Sequence, residues 1–126
     1  MKKIISTKNA PAAIGPYSQA VSVNGFLFTS GQIGIVPSTG NLAGDDIMSQ
    51  TKQVMENLKN ILMEKGLTFS NVVKTTVYIK DMGDFATVNA IYAEYFDEYA
   101  PARSCIAVSA LPKGVLIEIE VIASVD

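Results

Sequence analysis

"VVKTTVYIKDMGDFATVNAIYAEYFDEYAPARSCIAV", residues 72–108, decides the fold. Its opening run, from Asn71 through Lys80, is rich in β-branched residues and reads as a strand. From Asp84 to Tyr99 the period changes: Phe85, Val88, Tyr92, Tyr95 and Phe96 fall roughly in line at helical spacing, an amphipathic helix whose aromatics should pack on a sheet. A strand returns at "RSCIAVSAL". Strand, helix and strand in this order form a crossover unit, whose two strands should be parallel and joined right-handedly.

Working outward, Ile47, Val54, Leu58, Ile61 and Leu62 mark one face of a helix between Asp46 and Lys65, with Met55 beside them. Asp45 or Asp46 can cap its start and Gly66 can close its end. Before it, "KKIIS" is a short strand and "AVSVNGFLFTSG" a hairpin, because Asn24-Gly25 supplies the two positive-φ positions of a type I′ turn. After the crossover, Pro112-Lys113-Gly114 leads into a final strand, "GVLIEIEVIASV". Three strands, then helix, strand, helix and two strands, predict an α+β domain over residues 1–126, with both helices on one face of a mixed sheet. No internal repeat or linker interrupts it.

Composition narrows the chemistry. The chain has 10 basic and 12 acidic side chains, a net charge of −2, and so no overall electrostatic footprint for nucleic acid or an anionic membrane. No apolar run approaches the roughly 18 residues of a membrane-spanning helix, and the N-terminal apolar segment is too short for a signal peptide, so a cytoplasmic location is expected. Histidine is absent and Cys105 is the only cysteine, which removes Ser-His-Asp and Cys-His nucleophile pairs, intrachain disulfides and cysteine-cluster zinc sites. Catalysis would have to run on Arg, Glu, Tyr, Ser, Asn, backbone amides and water. The Gly-rich "GQIGIVPSTGNLAG" lacks the Gly-Lys-Ser/Thr ending of a phosphate loop and reads as a plain surface loop.

Period-two spacing suggests where a site would lie. In the last strand Ile117, Ile119 and Val121 share one side, and Leu116, Glu118, Glu120 and Ile122 the other. In the strand before it, Ile106 and Val108 form the apolar set, while Arg103, Cys105, Ala107 and Ser109 point oppositely. If the apolar sets face the helices, Arg103 and both glutamates emerge together on the helix-free face. That face mixes aliphatics with a few charges, which fits a subunit interface holding a site better than a plain solvated surface. Arg103 also needs an anionic partner, since a buried guanidinium without one is costly.

In this order and spacing, "IGPYSQAV", "FTSGQI", "VVKTTVYIKDM", "DFATVNAIY", "PARSC" and "IEIEVIA" closely resemble the RidA/YjgF family of reactive intermediate deaminases. The resemblance covers nearly the whole chain, and "PARSC" combined with "IEIE" is highly specific. It implies a chorismate-mutase-like fold and a homotrimer whose three sheets form a central β-barrel, with sites at the subunit interfaces. It further implies cofactor-free, metal-free hydrolysis of 2-imino acids, the products of pyridoxal-phosphate-dependent serine and threonine dehydratases, to 2-keto acids and ammonia. Matched motif by motif, the implied site residues are Tyr17, Ser30, Asn89, Arg103, Cys105 and Glu118, with Arg103 and Glu118 catalytic and the carboxylate role falling to Glu118 rather than Glu120. Some relatives have been described as ribonucleases, translation inhibitors or regulatory ligand-binding proteins. The acidic balance and the missing histidine acid-base pair argue against cleavage of RNA.

On this reading the partner of Arg103 is the substrate, whose carboxylate it would grip bidentately as a lysine could not. Glu118 would orient the attacking water or protonate the departing nitrogen; the sequence leaves acid and base open. Tyr17 would wall the pocket and Ser30 donate a hydrogen bond, although a loop tyrosine and a strand-end serine commonly serve local structure only. Asn89 would satisfy backbone groups if it did not touch substrate. Cys105, with no base to activate it, reads as structural or as a backbone contact rather than a nucleophile.

Overall fold

In the computed structural model, which describes residues 1–126, the strands are β1 (Lys3–Ile5), β2 (Ala20–Val23), β3 (Phe26–Thr29), β4 (Val72–Ile79), β5 (Ala102–Ala107) and β6 (Ile117–Ser124). The helices are α1 (Ile47–Glu64) and α2 (Phe85–Ala93), and the strands form one sheet in the order β1-β2-β3-β6-β4-β5. The crossover strands β4 and β5 are parallel and every other pair is antiparallel. The α+β arrangement of two helices on a mixed sheet is therefore as the sequence predicts.

Local chemistry explains the elements. Asn24 and Gly25 hold φ of 50° and 81°, the left-handed pair that a two-residue hairpin between twisted strands requires. The Asp46 side chain caps α1 by accepting from the Ser49 N–H. At its other end Gly66, at φ +75°, lets its own N–H reach the Met63 carbonyl and the Leu67 N–H reach Leu62, a Schellman closure. The α1 stripe of Val54, Met55, Leu58, Ile61 and Leu62 is buried against Leu27, Val77, Ile117, Ile119 and Val121 of the sheet. No helix is long and apolar enough to cross a membrane.

The second helix is shorter than its periodicity predicts. It stops at Ala93, where the Glu94 and Tyr95 N–H groups turn back to the Ile91 and Tyr92 carbonyls and the Asp97 carboxylate then accepts from the Tyr99 N–H. An aspartate offering its own acceptor competes with helix continuation. Tyr95 and Phe96 leave the helix to meet Phe69, with ring centroids 5.3 and 5.2 Å away.

Three buried amides fasten the long loops. The Gln19 Nε2 donates to the carbonyls of Thr7, Ala10 and Pro11 while its Oε1 accepts from the Thr7 N–H. From α1, Asn57 donates to the Ile33 and Ile35 carbonyls, and Gln50 donates to Gly44 and accepts from the Leu116 N–H. The Gly-rich segment is thus docked on the helix rather than free at the surface, and at Gly34 a Cβ would come within 2.9 Å of the Gln50 Cα.

One prediction about faces is corrected. Arg103 and Cys105 are register partners of Thr75 and Val77, which in turn pair with Val121 and Ile119. Paired residues share a face, so Arg103 and Cys105 lie on the helix side, and Ile106, paired with Tyr78, lies on the helix-free side with Glu118. The reason is that β5 is an edge strand beyond the core: none of its residues is fully buried, so apolarity does not mark its inward face.

Candidate active site

Strand β6 alternates as read, with Ile117, Ile119, Val121 and Ala123 buried and Glu118, Glu120 and Ile122 half-buried on the other face. The Glu118 carboxyl projects toward a cavity of about 640 Å³ formed where the loops after β1 and β3 meet the Pro112-Lys113 turn. Tyr17, Ser30, Gly31 and Gln32 line it on the polar side, and Ile14, Ile33 and Ile35 supply an apolar wall. Burial raises the Glu118 pKa above the ordinary carboxylate range, and the negative charge of Glu120 adds to the shift. Tyr78, the register partner of Glu118, is raised by burial and then by the charges of Glu120 and Glu118.

Gly31 is what lets Glu118 occupy this place. A Cβ there would stand 2.6 Å from the Glu118 Cδ and 2.9 Å from its Cγ, so any side chain would push the carboxyl aside. Ser30 joins the cavity with its proton already committed, since its Oγ donates to the Ser18 carbonyl at 2.6 Å. Towards the cavity it presents an acceptor, not the donor that the sequence suggested. Tyr17 is exposed at the rim.

Arg103 and Asn89 form a second place, a cleft of about 410 Å³ between α2 and the start of β5. The Arg103 Nη1 donates to the Asn89 Oδ1 at 2.7 Å, so Asn89 serves a guanidinium and not backbone groups. Arg103 is also exposed, over the rings of Phe85 and Tyr92. Cys105, two residues further along β5, packs against the core, and burial pushes its thiol up, with a smaller opposing pull from Arg103. A raised thiol without a base is a poor nucleophile.

The six residues thus divide: Tyr17, Ser30 and Glu118 gather at one cavity and Asn89 and Arg103 at another, while Cys105, further along β5, lines neither and packs against the core. Between Glu118 and Arg103 lie two strand spacings, roughly 10 Å, and the thickness of the sheet. One chain does not bring the carboxyl and the guanidinium together.

Sequence reasoning missed Gly31, Gln32 and the docked loop of residues 33–37. The available signal was on α1, where Gln50 and Asn57, seven apart, interrupt the apolar stripe with buried amides that need carbonyl partners.

Comparison with known proteins bears on these arrangements. The chain is 57% identical over 123 residues to a RutC family protein of Pyrococcus horikoshii, covering 98% of each. It is 52% identical over 123 residues to a mouse protein named 2-iminobutanoate/2-iminopropanoate deaminase, covering 98% of this chain and 91% of that one. Among solved structures, a Rid family protein of unknown function from Yersinia pestis superposes with a TM-score of 0.96 at 54% identity, covering 98% of this chain and 99% of the other. A family model described as endoribonuclease L-PSP matches residues 7–125, and with the Rid relatives it shows that the chain belongs to this family, the one its "PARSC" and "IEIE" motifs resemble.

Proposed function

We propose that the protein hydrolyses small 2-imino acids to 2-keto acids and ammonia, in sites assembled from two copies of the chain. The observation that carries this reading is the division of the site: a half-buried carboxyl beside an apolar-walled cavity at one place, and a guanidinium with no carboxylate partner at another. Joining one copy's Glu118 cavity to the next copy's Arg103 cleft would give a pocket with a carboxylate anchor and a proton-transfer group. The 52% identity to a relative named for this activity supports it.

In such a pocket Arg103 holds the substrate carboxylate and fixes the imine carbon for attack. Glu118 takes a proton from the water as its oxygen adds to the C=N carbon and hands that proton to the imine nitrogen, giving a neutral carbinolamine. It then takes the carbinolamine hydroxyl proton as C=O forms and passes it to the amine nitrogen, which leaves as ammonia. Protons balance within one carboxyl, and a pKa raised by burial suits the donating steps. Tyr17 closes the rim, and the apolar wall accepts a short aliphatic tail. No cofactor enters this scheme.

We further propose a homotrimer with a central barrel made from the helix-free faces. Phe26, Phe28 and Ile106 are 42%, 39% and 46% exposed there, and β5 leaves one edge unpaired. The substrates would come from pyridoxal-phosphate-dependent serine and threonine dehydratases, in the same cytoplasm. The test combines threonine, a threonine dehydratase and this protein, with semicarbazide trapping of the imine. Faster 2-oxobutanoate release and less trapped imine are expected; an unchanged trapping rate would overturn the reading. A parallel RNA-cleavage assay addresses the activity in the family's description, which the net charge of −2 and the absence of histidine disfavour.

A further inference from the structure

Arg103 is held by neutral groups. Its Nη1 donates to the Asn89 amide oxygen at 2.7 Å, and its guanidinium carbon stands 5.2 Å from the Phe85 ring centroid and 4.9 Å from that of Tyr92. Phe85, Asn89 and Tyr92 occupy i, i+4 and i+7 of α2, one stripe in which the backbones of the two aromatic residues are about 10 Å apart along the axis. The guanidinium nests between the rings over the amide.

The cradle is tied to the sheet. The Tyr92 hydroxyl lies 2.8 Å from the Thr75 Oγ1, and Thr75 is fully buried and is the register partner of Arg103 on β4. The helix residue that flanks the guanidinium and the strand residue beside its backbone therefore hold each other.

Neutral support has a chemical consequence. A carboxylate neighbour would cancel the charge and occupy the fork, whereas an amide oxygen takes one N–H and ring faces attract the cation without taking a donor. We propose that Phe85 and Tyr92, with Thr75 behind Tyr92, are positioning residues that fix the plane of Arg103 while leaving its charge free, and so set the affinity of the site for a substrate carboxylate. This rests on the reading of Arg103 as the carboxylate anchor.

The test measures 2-oxobutanoate binding by calorimetry and steady-state imine hydrolysis. Phe85 is only half-buried, so Phe85→Leu removes a ring face at little risk to folding. Its Kd and KM should rise about two- to five-fold, with a smaller change in kcat, and Phe85→Tyr should restore both. In an Arg103→Ala background, Phe85→Leu should cause no further loss in kcat/KM. Tyr92→Phe combined with Thr75→Val removes the tether without leaving a hydroxyl unpartnered, and should raise KM in the same direction.

Unchanged Kd and KM in both sets of variants would overturn the cradle, as would an equal loss with and without Arg103, which marks a merely structural effect. If wild type binds no 2-oxobutanoate and Arg103→Ala hydrolyses imine at the wild-type rate, the anchor reading falls first and takes the cradle with it.

Discussion

Glu118 and Glu120 point to the same side of β6, yet only Glu118 reaches the cavity beside Gly31. Glu118→Gln keeps shape and removes proton transfer, so kcat should fall by about 100-fold or more, while Glu120→Gln stays within several-fold; coupled dehydratase assays decide it. The raised pKa of Glu118 also sets a sign for stability. A carboxyl whose folded pKa exceeds its unfolded one, about 4.3, favours folding below that value and loses the benefit as pH rises through the folded pKa. The melting temperature of Glu118→Gln should therefore gain on wild type as pH climbs from about 4 to 7; a flat difference would mean that a nearby cation offsets the burial. Arg103→Lys exchanges a planar fork for a point charge, and kcat/KM should drop by the equivalent of about 2–4 kcal/mol with folding intact. The candidate status of Arg103 and Glu118 was legible because the "PARSC" and "IEIE" motifs that carry the family resemblance each lie in a few consecutive residues. Their grouping was not: the side to which Arg103 points depends on aromatic faces contributed by α2, and apolarity misleads on an edge strand.

At the scale of elements, the hairpin, the α1 caps and the parallel crossover were all readable, since each is set by a few consecutive side chains. What joins α1 to the loops was not, because an amide-to-carbonyl bond over more than twenty residues leaves no periodic trace. Asn57 illustrates the energetics, holding the Ile33 and Ile35 carbonyls at 3.0 and 2.9 Å from a fully buried position. Asn57→Leu fills the space but strands the Ile35 carbonyl, at a cost on the order of 1–3 kcal/mol, while the Ile33 carbonyl keeps the Ile35 N–H. Urea denaturation should show a loss of that order, and hydrogen exchange should speed up in residues 33–37, the wall of the Glu118 cavity. Wild-type exchange there would mean that the loop is held by other contacts.

For the whole molecule, the deciding quantity is what covers the helix-free face. Ile106 sits there on β5, close in sequence to Arg103 but on the opposite side of the sheet. Ile106→Glu leaves the core untouched and places a charge in the proposed interface. It should sediment as a monomer with a wild-type far-ultraviolet spectrum and little imine hydrolysis. An active monomer would place a complete site within one chain.

The position of β6 has one more consequence. It is the last strand in sequence but is central in space, pairing with β3 on one side and β4 on the other. Until it arrives, β1-β2-β3 and β4-β5 are two separate half-sheets, each with an exposed edge able to pair with another chain. During synthesis on a ribosome the sheet would stay divided until β6 emerges, so that it closes in one late step and not progressively. The same strand carries Glu118, so the proposed proton-transfer group joins the molecule in the step that completes the sheet.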